Sequence, residues 1–299
     1  MRSILGIRRV ILVVLDGLRP DAIERFDLHH LNRLQENGAS TTRARTVTPS
    51  ITASAMASLF TGVRPERHGL VSDRFHIPRA AGALNPMPRV LLEANYPTAA
   101  FVTEIPILFR GIGARIARHL GVSTVRFAAK NADGVLSVAE HTIATQRRGL
   151  IVMHWPDADE AGHAHGWMSP EYEAGARAMD AALDRLTTMA DIPRDAGTLL
   201  VLLSDHGGGG VVANDHGTEH PLDRTIFVTL VGRQVRSTEL DDDVSLLDVP
   251  ATVLWALGVK APAEYVGRPL RTAFRTDPAP GYAAAMGMGA SVERPDLVA

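Results

Sequence analysis

Three apolar runs in this chain end in residues that can hold a metal ion. "VILVVL" (10–15) leads into Asp16, "GLIVMHW" (149–155) into Asp157 and Asp159, and "TLLVLLS" (198–204) into Asp205 and His206. Two further imidazoles follow at short range, His163 in "DADEAGHAHG" and His216 in "NDHGTEH". A single Asp after a strand is an ordinary turn former. Three acidic strand ends, each near a histidine or a second carboxylate, describe a site assembled from distant pieces. Mixed carboxylate and imidazole ligation without sulfur suits Zn²⁺, or less selectively Mn²⁺ or Fe²⁺. The chain has no cysteine, which excludes disulfides, thiolate zinc sites, Fe–S clusters and cysteine nucleophiles.

A hydroxyl group is the other chemically suggestive feature. In "TPSITASAMASLFTGVRPERHG" (48–69), Pro49 and the polar run to Ser54 predict a turn that opens a short helix. Its apolar face would be Met56, Leu59 and Phe60, and Gly62 would close it. Thr52 then lies at a helix N-terminus, where free N–H groups and the dipole favour an anion. Its hydroxyl is either an N-cap or a nucleophile.

The elements that must position these groups alternate along the chain. Runs apolar at nearly every position, the three above together with "TAAFVTE" and "TIFVTLVG", suit strands covered on both faces. Helical stretches lie between them. The clearest is "SPEYEAGARAMDAALDRLTTMA", with Ser169 as N-cap, Pro170 at the first helical position, and Met179, Ala182, Leu183, Leu186 and Met189 on one face. In "SLLDVPATVLWALGV", Pro250 marks the expected start of another helix. This alternation predicts an α/β three-layer sandwich with a mostly parallel central sheet flanked by helices. One domain is expected over 1–275, with 72–130 as a small insertion near the site and 276–299 as a poorly packed tail.

The bulk composition is that of a soluble globular protein, with 45% hydrophobic and 21% charged residues. A net charge of −2 provides no field for a nucleic-acid polymer. The basic N-terminus precedes only six apolar residues before Asp16, too few for a membrane span and without a cleavage signal. A cytoplasmic protein with no membrane partner is expected, and a homo-oligomer is left open.

Taken in order, the D-G pair at 16–17, "PSIT…SLFTGVRPERHG", "PDADEAGHAHG", "SDHGGG" and "DHGTEHPLDRTI" resemble the alkaline phosphatase superfamily. They are most similar to its type I phosphodiesterase/nucleotide pyrophosphatase branch. The resemblance covers about residues 10–272. It implies two divalent metal ions, one held by Asp16, Asp205 and His206 and touching Thr52, the other held by Asp159, His163 and His216. Asp159 is preferred to Asp157 because the family spacing D-x-x-x-H fits only Asp159 with His163. His216 is preferred to His220 because the last family ligand lies in an H-G dipeptide. The implied activity is hydrolysis of small phosphate diesters or pyrophosphates. Thr52 attacks phosphorus to form a covalent phospho-threonine, and water delivered at the second cation then releases it.

The pattern also departs from that branch. Where its nucleotide pyrophosphatases carry a phosphate-contacting asparagine, this chain has Asp73, assigned here as a substrate-binding residue. An ionised carboxylate cannot donate to phosphate, so Asp73 favours a monoanionic diester over a dianionic monoester. Arg19 and Arg74 are expected either to offset its charge or to form surface salt bridges. The segment after Thr52 lacks the branch's Asn-His pair, which leaves nucleotide specificity unsupported. Trp155, Trp167 and Phe75 are expected either to line a pocket or to pack, and His68 to hold a turn. A phosphomonoesterase or phosphonate hydrolase and a non-catalytic metal-binding relative are the competing readings.

Overall fold

The computed structural model describes residues 3, 5–72, 84–103 and 107–275. Eight strands form one sheet: β1 (Arg9–Leu15), β2 (Ala39–Arg45), β3 (Thr98–Thr103), β4 (Thr124–Ala128), β5 (Gly149–Trp155), β6 (Thr198–Leu203), β7 (Thr225–Val231) and β8 (Thr238–Glu239). Their order is β4-β3-β5-β1-β6-β7-β2-β8, and only β7 runs antiparallel to its neighbours. The helices are α1 (Pro20–Arg25), α2 (His29–Glu36), α3 (Thr52–Thr61), α4 (Pro65–His68), α5 (Met87–Glu93), α6 (Ile107–His119), α7 (Ala132–Thr145), α8 (Asp157–His165), α9 (Pro170–Met189), α10 (Pro221–Arg224) and α11 (Asp248–Ala256).

Strand parity creates the three layers. Successive side chains leave opposite faces of a strand. Val10, Leu12 and Val14 of β1 therefore join one core, with Ala55 and Leu59 of α3, Leu91 of α5 and Leu254 of α11. Ile11, Val13 and Leu15 join the other, with Leu31 of α2, Leu136 of α7 and Leu183 of α9. All of β1 is buried, so its continuous apolar run is what a central strand covered on both sides requires.

The expected helix signals hold with two corrections. Ser169 accepts from Tyr172 N and Pro170 opens α9, but Met189, its last residue, is exposed. Leu186 and Ala190 on either side of it are buried, so this end of the helix stays packed while Met189 turns outward. The C-terminal helix begins at Asp248 rather than Pro250. A proline is tolerated in the first turn because its missing N–H has no intrahelical partner there. Within 72–130, β3 and β4 are hydrogen-bonded into the central sheet, while 73–83 and 104–106 lie outside the described residues, as does the tail 276–299. Among the described residues no helix is long and apolar enough to cross a membrane.

Candidate active site

The carboxyl ends of β1, β5 and β6 lie side by side, since β1 pairs in parallel with both of the others. Ligands gather at such strand ends in open α/β sheets. Asp16 extends the β1–β5 ladder by one bond, from its N–H to Trp155 O at 2.9 Å. The chain then turns at Gly17, where φ is +64°. A Cβ on Gly17 would lie 2.9 Å from the Asp159 Cβ, so only glycine lets the loop pass this close. Gly17 O accepts from the buried Tyr172 hydroxyl and from Trp167 Nε1, each at 2.9 Å, which fixes the turn from behind.

Thr52 is the first residue of α3, and Ile51 is the N-cap. The N-cap alternative for Thr52 is thereby overturned: its backbone is already helical, and its hydroxyl points away from the helix it begins. Thr52 Oγ1 stands 3.0 Å from His206 Nε2 and 3.5 Å from Asp16 Oδ1. Gly62 closes α3 in the left-handed conformation, as expected. Leu59 is fully buried, and Met56 and Phe60 pack against the same core.

Around this hydroxyl the remaining residues converge. His206 Nε2 lies 3.2 Å from Asp16 Oδ1, 3.6 Å from Asp205 Oδ2 and 4.0 Å from Asp159 Oδ1. Asp159 and His163 are one helical turn apart on α8, with 3.6 Å between Asp159 Oδ1 and His163 Nε2. His216 Nε2 is also 3.6 Å from Asp159 Oδ1, and 3.1 Å from His163 Nε2. The rings of His206 and His216 stack at 3.9 Å. Asp16, Thr52, Asp159, His163, Asp205, His206 and His216 thus share one cluster, although 200 residues separate the first from the last.

The orientation of the imidazoles has a common cause. His206 Nδ1 faces Gly207 O at 2.8 Å, His216 Nδ1 faces Ser50 O at 2.9 Å, and His163 Nδ1 faces Asn214 O at 3.1 Å. A carbonyl oxygen only accepts, so Nδ1 carries the proton in all three rings. Nε2 is then the atom that each ring presents to the cluster. Asp223, fully buried behind the loop that carries His216, accepts from Gly210 N, Thr218 N and Thr218 Oγ1 and holds that loop in place.

The electrostatics describe a centre short of positive charge. Burial, together with the charges of Asp16 and Asp205, pushes the Asp159 carboxyl up to about 8. Burial and Asp16 push Asp205 up to about 6. Burial also opposes ionisation of Asp16, but the charges of His154 and His206 beside it hold it well below the usual carboxylate range. His216 is pushed down to about 4 by burial and by His206, so its ring is neutral near pH 7. Asp159 Oδ1 and Asp205 Oδ2 are sealed from solvent without a hydrogen-bond partner. Buried carboxylate oxygens without partners, set against inward-facing Nε2 atoms, fit divalent cations. Two groups have ligand atoms within 4.8 Å of one another: Asp159, His206 and His216, and Asp16, His154 and Asp205.

The other expected residues lie elsewhere. Asp157 accepts from Ala132 N at 2.7 Å, and His220 accepts from Leu222 N at 3.1 Å. Trp155 is buried in the core, and the Trp167 indole fills the space beside Gly162 and Gly208, edge-on to His163 and His216. Arg19 is paired with Asp21 and donates to Gly208 O. His68 accepts from Leu70 N and donates from Nε2 to Ser58 Oγ, the turn role expected of it. Asp73, Arg74 and Phe75 lie outside the described residues. His154 was not singled out from the sequence. The available signal was one polar residue in the inward series Leu150, Val152, His154 of an otherwise apolar strand.

Fold and cluster together define an alkaline phosphatase-like α/β protein with a carboxylate–imidazole centre. The family model for type I phosphodiesterase/nucleotide pyrophosphatase matches residues 10–88 and 94–242, and the chain belongs to that family. Over 128 residues it is 27% identical to the 2,3-bisphosphoglycerate-independent phosphoglycerate mutase of Listeria welshimeri, covering 43% of this chain and 24% of that one. Over 225 residues it is 23% identical to ectonucleotide pyrophosphatase/phosphodiesterase family member 1 of Rattus norvegicus, covering 66% of this chain and 24% of that one. The chain therefore spans about a quarter of the length of these curated relatives. Among solved structures, an inactive murine ectonucleotide pyrophosphatase/phosphodiesterase 5 in complex with AMP superposes with a TM-score of 0.72 at 14% identity, over 90% of this chain and all of that one. The lipoteichoic acid synthase LtaP of Listeria monocytogenes superposes with a TM-score of 0.66 at 15% identity, over 89% of this chain and 75% of that one.

Proposed function

We propose that this chain is a two-cation hydrolase of small phosphate diesters or pyrophosphates, with Thr52 as its nucleophile. The observation that carries this reading is the Thr52 hydroxyl at the N-terminus of α3, 3.0 Å from His206 Nε2 and 3.5 Å from Asp16 Oδ1, beside buried carboxylates without partners. Asp16, Asp205 and His206 would hold one ion and Asp159, His163 and His216 the other. Zn²⁺ suits this donor set best, with Mn²⁺ or Fe²⁺ also compatible. Such ions supply charge that stabilises a threonine alkoxide and neutralises the phosphoryl oxygens.

The chain's own residues do the rest. Thr52 gives up its hydroxyl proton as its oxygen bonds to phosphorus and the bond to the leaving oxygen breaks, and the departing alcohol or phosphate takes up a proton. Water then forms the second bond to phosphorus, and the Thr52 oxygen leaves and regains its proton. The N–H groups of the first turn of α3 would donate to the phosphoryl oxygens. The Nδ1 contacts of His163, His206 and His216 hold their rings in register through both steps. Asp73 favours a substrate with one negative charge at phosphorus over one with two.

The mutase among the relatives supports a second reading, chemistry on phosphate monoesters. Parallel assays on aryl phosphate diester, monoester, phosphonate and sulfate esters, with Zn²⁺ or Mn²⁺ supplied, separate the two. Fastest turnover of the diester is expected, and a faster monoester would replace the first reading with the second. Thr52→Ala is expected to lower kcat/KM on the order of 10⁴-fold or more with cation content unchanged. Turnover retained in that variant would overturn the covalent route, and turnover of no ester by the loaded protein would leave a non-catalytic relative.

A further inference from the structure

The two oxygens of Asp16 have different neighbours. Oδ1 faces Thr52 and His206, whereas Oδ2 lies 3.2 Å from Nε2 of His154. His154 is the next-to-last residue of β5, opposite Val14 in the β1–β5 register. Strand parity places it above Val152, on the sheet face that α3 covers. An apolar residue would continue that face, so the imidazole needs a polar reason to be there. Its Nε2 is sealed from solvent, and no hydrogen bond satisfies it. Asp16 Oδ2 is near enough but is not aligned with the ring nitrogen. A buried polar atom without a partner is destabilising unless something binds it.

Asp205 presents the matching orphan. The residue is fully buried, its Oδ1 accepts from Gly17 N and His206 N, and its Oδ2 has no hydrogen-bond partner. Asp16, His154 and Asp205 each bring one ligand atom to within 4.8 Å of the others. One nitrogen and two carboxylate oxygens converge there, a set that a borderline divalent cation accepts.

We infer that His154 is a ligand of the cation held by Asp16 and Asp205. This inference rests on the two-cation reading of the site and adds to it a residue outside the motifs that suggested that reading. The geometry leaves His206 close to both groups of ligands, 3.2 Å from Asp16 Oδ1 and 4.0 Å from Asp159 Oδ1. His154 then secures the Asp16 side when His206 leans towards Asp159 and His216.

The test is cation binding by the whole chain, read without turnover. Wild type, His154→Ala and His154→Gln are stripped with chelator and titrated with Co²⁺, which reports ligand type and geometry by visible absorption. Bound ions are counted by elemental analysis, and thermal unfolding with chelator checks that each variant folds. Wild type is expected to bind two ions. Both variants are expected to bind one of them at least about 10–100-fold more weakly, with a changed cobalt spectrum. Added imidazole is expected to restore part of that spectrum in His154→Ala. A folded His154→Gln that binds two ions with wild-type affinity and spectrum overturns the inference alone. Wild type that takes up no cation overturns both the inference and the two-cation reading. If His154→Ala does not fold, His154→Gln decides, because it keeps the side-chain volume and removes the imidazole.

Discussion

Strand β1 carries a buried charge at each end, and the two are treated in opposite ways. At its start Arg9, 1% exposed, donates to Thr198 Oγ1, Ile143 O, Gln146 O and Asp195 Oδ2. Past its other end, Asp16 is surrounded by groups that compete for too few protons, and two neighbouring atoms, His154 Nε2 and Asp205 Oδ2, have no partner. A satisfied buried charge ties elements together. An unsatisfied cluster is a place where something else must bind. The same sheet therefore has a structural end and a chemical end, and burial alone does not tell them apart; partner counting does.

This contrast is open to test. The largest effect is expected at the satisfied end: Arg9→Met removes the donor to Ile143 O, Gln146 O and Thr198 Oγ1 and the charge that pairs with Asp195. Chemical denaturation should show a loss of about 3–5 kcal/mol, with the number of bound cations unchanged. A loss below about 1 kcal/mol would show that Arg9 is not the tie described here.

The opposite sign is expected at the chemical end. A carboxyl raised to about 6 in the folded chain, against 3.8 ordinarily, costs stability as pH rises through that interval, and the full cost remains above it. Cation-free Asp205→Asn should therefore be more stable than cation-free wild type at pH 7, by about 1–3 kcal/mol, and the gain should disappear near pH 4. Divalent cations, which should raise the melting temperature of wild type, should raise that of the variant by less, because one of the two proposed sites loses a ligand. Equal stability of the two cation-free proteins at pH 7 would mean that the cluster carries no such strain.

The smallest effect belongs to Asp195, the partly exposed partner of Arg9. Burial acts to raise its pKa, but hydrogen bonds from Thr198 and Gly197 and the charges of Arg9 and Arg8 outweigh this and hold it below 3.8. A depressed carboxylate stabilises above its unfolded pKa, and the contribution is lost as pH falls through its folded value. Asp195→Asn should cost about 1 kcal/mol at pH 7 and nothing in strong acid, giving a flatter acid limb in thermal unfolding. A deficit that persists unchanged in acid would assign the effect to packing instead of charge.

The strands buried on both faces were legible because every position had to be apolar, and β1, β3, β5, β6 and β7 were all visible as runs. The segment "ASTTRAR" of β2, which the two-residue edge strand β8 covers only at Ala39 and Ser40, was not, since only Ala39, Thr41 and Ala44 are buried and the pattern is polar. Asp159 and His163 could be paired through the family pattern D-x-x-x-H, a spacing that the helix Asp157–His165 turns into one helical turn. By contrast, Pro250 misled by two residues, because a proline fits anywhere in a first turn. Thr52 could not be separated from an N-cap until the backbone at Ile51 was known.

What the sequence alone determined was the set of local obligations: which runs must be buried, where helices open and close, and which residue types could bind a cation or attack phosphorus. Tertiary structure decided which of those residues meet. His154 became part of the cluster through the register of β5 against β1, and Arg19 was taken up by Asp21 and Gly208 O. Local preferences act over a few residues, whereas the partners of a buried polar atom come from strands and loops far along the chain.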